Sequence, residues 1–270
     1  MPSVRPAAIA GMFYPGKAEE LARSVDAMLA AATPATAAPV PKAIIAPHAG
    51  FIYSGPVAAS IYALIAPARA RIKRVVLLGP AHRVAIHGMA LPGVGAFATP
   101  LGTVPIDADS VKKLMALPYV GASTEAHRLE HSLEVHLPFL QQVIDEFTLL
   151  PLAVGRATAQ QVAAVIDLLW GGDETLIVIS SDMSHYLPYA DAQATDHATA
   201  QAILDLRTDI NHHQACGATP VIGLNLLAQQ RKLKPQLIDL RNSGDTAGDK
   251  ARVVGYGSFA FYEAEQKGRG

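Results

Sequence analysis

Thr175-Leu176-Ile177-Val178-Ile179-Ser180 leads straight into Ser181-Asp182-Met183-Ser184-His185. Its interior is aliphatic and mostly β-branched, which reads as a strand. Both of its faces are apolar, so both must be covered, as in a sheet held between two helical layers. Similar runs stand at residues 42–46 (KAIIA), 74–78 (RVVLL) and 147–154 (FTLLPLAV). Residues 236–240 and 252–262 read as two further strands. The last alternates more, which fits an edge or antiparallel strand.

Helical patterns fill the intervals. Residues 17–31 place Leu21, Val25, Met28 and Leu29 at helical spacing. Residues 55–65 follow the first strand. Residues 107–117 open on acids, which favour a helix N-terminus. Residues 130–144 align Leu133, Leu137, Leu140 and Ile144, with Pro138 predicting a kink or a break. Residues 158–170, 190–206 and 219–230 complete the set. Strands alternating with helices predict an α/β fold, a three-layer α/β/α sandwich around a mostly parallel central sheet. The chain has 270 residues. A Pro- and Ala-rich stretch at 31–41 reads as a loop, so one domain is expected over 1–265, with a tail at 266–270.

Composition narrows the function. Lys and Arg number 22 against 23 Asp and Glu, a net charge of -1. Such balance offers no field for a polyanion, so nucleic acid is not an expected partner. Half the residues are hydrophobic, 50%, enough for a sizeable core. A single cysteine excludes a disulfide framework and a four-cysteine zinc module. The longest nearly uncharged stretch, 88–112, is interrupted by Pro92, Pro100 and Pro105, so no membrane span is expected. The N-terminus shows no signal-peptide apolar core, and a cytoplasmic location is the expectation. Two G-x-G-x-x-A stretches, 93–98 and 255–260, lack the strand-then-helix setting of a dinucleotide site.

The ten histidines are the informative residues. His48 follows the first strand in Ala46-Pro47-His48-Ala49-Gly50. His82 follows the second in Gly79-Pro80-Ala81-His82. Asp182 and His185 follow the fourth. Ligands of open α/β sheets bind at the carboxyl ends of the strands, so these side chains are expected in one crevice. Cys216 precedes Thr219-Pro220, read as a helix N-cap and first position. The helix dipole there favours a thiolate. It either completes a two-His, one-Cys metal site or is a buried inert thiol. His131 and Glu134 are expected on one helix face, supporting the crevice, touching substrate or bonding to ligands. His87, His127, His197, His212 and His213 read as surface or capping residues.

Longer stretches then carry a resemblance. Ala10-Gly11-Met12-Phe13-Tyr14-Pro15 comes first, then Ala46-Pro47-His48-Ala49-Gly50-Phe51-Ile52-Tyr53-Ser54-Gly55 and Leu78-Gly79-Pro80-Ala81-His82. Glu130-His131-Ser132-Leu133-Glu134-Val135-His136, Ser180-Ser181-Asp182-Met183-Ser184-His185-Tyr186, Cys216-Gly217 and Ser243-Gly244-Asp245 follow in order. In these motifs, nearly end to end, the sequence resembles the Memo family. That family's fold is related to LigB-type class III extradiol dioxygenases. The resemblance implies a mixed central sheet and a metal pocket of His48, His82 and Cys216, with Asp182 and His185 beside it. It implies one divalent or redox ion, Fe(II) first, with Cu or Zn as alternatives. A thiolate in place of a carboxylate moves preference towards Zn, Cu(I) or thiolate-ligated iron.

Three functions are compatible with that pattern. One is a metal-dependent oxidoreductase in which His185 moves protons and Asp182 orients or assists it. Another is a non-catalytic metal- or peptide-binding adaptor on an inherited enzyme fold, acting with a radical-SAM system protein. The third is a zinc hydrolase using metal-bound water. A small-molecule or peptide ligand in the pocket is expected in each.

Overall fold

The computed structural model describes residues 3–32 and 39–264. The expected tail at 266–270 lies outside the described residues, as does most of the 31–41 loop. The first half runs β1 (Val4–Arg5), α1 (Ala18–Ala31), β2 (Ala43–Ala46), α2 (Phe51–Tyr62), β3 (Arg74–Pro80), β4 (Met89–Leu91), β5 (Ala96–Thr99) and β6 (Gly102–Pro105). Next come α3 (Ala108–Leu114), β7 (Val120–Ala122), α4 (Thr124–Arg128), α5 (His131–Glu134), α6 (Leu137–Val143) and β8 (Thr148–Val154). The chain continues through α7 (Ala159–Leu168), β9 (Thr175–Ser180), β10 (His185–Leu187), α8 (Tyr189–Leu204), α9 (Ala218–Arg231), β11 (Lys234–Asn242) and β12 (Val253–Tyr262).

The main sheet has the order β10-β12-β2-β9-β3-β8-β4-β7, with β11 also paired to β12. Its centre, β2-β9-β3-β8, is parallel. Strand β12 is antiparallel to β2, and β4 is antiparallel to β8, so the sheet is mixed. A second sheet pairs β1, β5 and β6. Successive strand side chains face opposite ways. Ile44, Val75, Leu77, Leu176 and Val178 therefore join one core, with α1, α2, α5 and α6. Their neighbours Ile45, Val76, Leu78, Ile177 and Ile179 join the other, with α3, α7, α8 and α9. The architecture is the three-layer α/β/α sandwich.

Several boundaries differ from expectation. Helix α2 begins at Phe51, not at residue 55, and accommodates Pro56 in its second turn. The stretch 130–144 breaks into α5 and α6, with Pro138 in the first turn of α6, where a missing N–H costs nothing. Gly217, not Thr219, caps α9. Strand β12 is antiparallel but interior, flanked by β2 and by β10 and β11. Strands β4 to β7 escape a pattern search because each is only 3 or 4 residues long.

Candidate metal centre

The strands β2, β9 and β3 are parallel neighbours, so their carboxyl ends lie side by side. His48 stands just past β2, Asp182 just past β9 and His82 just past β3. Helix α5 closes the same edge and brings in His131 at its first position. The ring centroids of His82 and His131 are 4.7 Å apart and nearly parallel. Those of His48 lie 5.2 Å from His82 and 5.5 Å from His131. One ring nitrogen from each of His48, His82 and His131 falls within 4.8 Å of the others, and the three can hold a metal ion.

Two of the imidazoles, His48 and His131, are poised as neutral ligands. Burial pushes the His48 pKa well below the usual value, and His82 and His131 add to that push. Burial also lowers His131. Uncharged imidazole is the form that binds metals. His131 Nδ1 is buried with no hydrogen-bond partner among the described residues. It lies 3.5 Å from Glu130 Oε1, too poorly placed for a bond. Three converging imidazoles, one with a buried nitrogen left without a partner among the described residues, fit a bound cation.

Carboxylates surround this group. Glu130, 1% exposed, accepts bonds from the His82 backbone at 2.6 Å, from His82 Nδ1 at 2.9 Å and from the Ser132 backbone at 3.0 Å. Burial alone would raise its pKa. The bonds and charge of His82, with the Ser132 backbone, outweigh it and hold the carboxyl at about 2. A carboxylate only accepts, so His82 carries hydrogen on Nδ1, which leaves Nε2 as its nitrogen for a metal. Asp182 Oδ1 accepts the His48 backbone N–H at 2.7 Å. Its Oδ2 lies 3.9 Å from His48 Nε2, but burial raises the acid while it lowers the imidazole. The two are therefore neighbours without being an ion pair.

Cys216 Sγ is 3.3 Å from His48 Nε2 and lies outside the three-imidazole group. The expectation of a dipole-favoured thiolate is corrected here, because burial pushes the thiol up to about 12 and Asp182 adds to it. The backbone around it is docked closely. Asp182 N donates to Sγ at 3.3 Å, and Gly217 N donates to Ser181 Oγ at 3.0 Å. A Cβ at Gly217 would come 2.6 Å from Ser180 O, so only glycine permits this approach.

His185 opens β10 and is exposed, with Nδ1 donating to Met183 O at 2.8 Å. Its charge acts on both His48 and Asp182. Other expectations part from the structure. His131 faces the metal group, whereas Glu134 turns to the N-terminal segment and binds Arg5, Tyr14 and the Ala8 and Ile9 backbones. His127 is no surface residue. It is 1% exposed and bonds Ala90 O at 2.7 Å through Nε2. Glu130 and His131 were legible as an acid beside an imidazole, yet no metal-ligand spacing marked them.

Known proteins resemble this chain along nearly its whole length. The model of a family described as "Memo-like protein" matches residues 5–260. A MEMO1 family protein of Aquifex aeolicus is 37% identical, covering 96% of this chain and 99% of that protein. Another, from Metallosphaera sedula, is 34% identical over 78% of this chain and 80% of its own length. The crystal structure of the uncharacterized protein JW3007 from Escherichia coli K12 aligns with a TM-score of 0.53. It is 13% identical and covers 80% of this chain and 98% of its own, a likeness of fold alone. With the sequence matched almost from end to end, this chain belongs to the Memo family.

Proposed function

We propose that His48, His82 and His131 hold one redox-active metal ion and that the protein is a metal-dependent oxidoreductase of dioxygenase type. The convergence of three imidazoles, with ligand nitrogens within 4.8 Å of one another at this edge of the sheet, carries this reading. Imidazoles with carboxylates at hand suit Fe(II), the first choice. Cys216, entering as a further donor beside His48, would shift preference to Cu or Zn. Such an ion, when bound, supplies Lewis-acid and redox chemistry. The chain's own residues do the rest. Asp182, buried at the crevice floor, holds the His48 backbone. His185, exposed beside it, is the group that takes up or returns a proton from a small-molecule ligand. The test is oxygen consumption by iron-loaded protein with a panel of catechols. Turnover lost in His185→Ala with the metal retained is expected. Absence of turnover with any metal would overturn the enzyme reading.

A second reading is favoured by the side chains near this edge. Met12, Ile52 and Tyr186 are 72%, 67% and 62% exposed. Met12 adjoins Phe13, whose ring lies 5.0 Å from His131, and Tyr186 adjoins His185. Exposed apolar residues of this kind suit a protein or peptide partner. A metal-binding adaptor working with a radical-SAM protein would then retain its partner in His185→Ala and lose it in Met12→Asp and Ile52→Asp.

A further inference from the structure

Ser180 closes β9 and has no solvent exposure. Its Oγ lies 2.6 Å from the Ser132 carbonyl oxygen and 2.6 Å from His48 Nδ1. A hydroxyl has one proton to give. The carbonyl can only accept, so that proton goes to Ser132. Towards His48 the same oxygen has only lone pairs to offer. The imidazole must therefore donate from Nδ1, because a bare Nδ1 would set two lone pairs against each other.

We infer that Ser180 is the positioning residue of the metal centre, fixing His48 in the tautomer that carries hydrogen on Nδ1 and turns a bare Nε2 into the crevice. The assignment rests on the reading that the three imidazoles hold a metal. It agrees with the other end of the ring, where Nε2 meets Cys216 Sγ at 3.3 Å. A thiol there can donate to the bare nitrogen.

The hold on Ser180 comes from the turn that carries the third ligand. Ser132 is itself pinned, its Oγ donating to Pro80 O at 2.8 Å and its N–H to Glu130 Oε1 at 3.0 Å. Three consecutive residues thus govern all three rings. Glu130 orients His82 through its carboxylate. His131 supplies its own nitrogen. Ser132 orients His48 through its carbonyl and Ser180. Removing the Ser180 hydroxyl frees the His48 ring to place its hydrogen on Nε2, where it blocks the metal. Groups that orient metal-bound histidines are typically worth about 10–100-fold in affinity.

The experiment uses full-length, metal-stripped protein with 15N-labelled histidine. Two-dimensional NMR assigns the protonated nitrogen of His48, and zinc titration gives the affinity of wild type and Ser180→Ala. In wild type, His48 shows a pyrrole-type Nδ1 and a pyridine-type Nε2. In Ser180→Ala the Nε2–H tautomer appears, and zinc binds about 10–100-fold more weakly. The wild-type spectrum decides even if Ser180→Ala fails to fold. Hydrogen on Nε2 in wild type overturns the assignment, as does a variant with an unchanged tautomer or an unchanged zinc affinity. Wild type that binds no zinc, yet shows the stated tautomer and its loss in Ser180→Ala, refutes the metal reading and keeps the hydrogen-bond assignment.

Discussion

Cys216 shows how burial and charge compete at a single side chain. The thiol sits just before α9, where the dipole favours an anion. Burial and the neighbouring Asp182 win, and the thiol rises from its ordinary value near 9.0 to about 12. In metal-stripped protein at neutral pH the group is therefore a neutral donor. The proton is bound more tightly in the folded state, so stability tied to this group is full below pH 9 and falls as pH rises towards 12. Alkylation by iodoacetamide reads the same quantity, because only the thiolate reacts. The rate should climb roughly tenfold per pH unit through pH 10 without levelling. A plateau below pH 9 would show an ordinary or depressed thiol.

At the scale of elements, the turn from α4 to α5 is the piece that assembles the crevice, and the N-terminal segment holds it. Arg5, in β1, donates to His127 O at 2.6 Å, to Glu130 O at 2.8 Å and to Glu134 Oε2 at 2.5 Å. Its guanidinium also lies over the Phe97 ring, 4.7 Å from the centroid. Glu134 is fully buried and takes further bonds from Tyr14 Oη and the Ala8 backbone. Removing one partner of such a pair leaves the other charge buried and uncompensated, a loss of about 3–5 kcal/mol. Arg5→Met should lower unfolding stability in urea by that amount and weaken metal binding with it, since Glu130 and His131 share the turn. A loss below about 1 kcal/mol would mean that the segment is only tethered at the surface.

For the whole molecule, the parts readable in sequence are those whose physics is local. The aliphatic runs of β2, β3, β8 and β9 declare strands covered on both sides, and the helices between them follow by period. His48 and His82 are readable because a strand end is a position in sequence as well as in space. His131 is not, because it reaches the group only when α5 packs against β3, and it stands 49 and 83 residues along the chain from its companions His82 and His48. Ser180 escapes for the same reason, since its role exists only once β9 lies between β2 and β3. The short strands β4 to β7 carry too few residues to show a period. No helix among the described residues is long and apolar enough to cross a membrane.

The central claim is that three imidazoles from two strand ends and one helix form a metal centre. Metal content by inductively coupled plasma mass spectrometry tests it most directly, on untagged protein purified anaerobically, beside His48→Ala, His82→Ala and His131→Ala. The account predicts about one ion per chain in wild type, and loss of that ion in each variant, His131→Ala included. Equal trace metal in all four proteins, or full retention in His131→Ala, would contradict it.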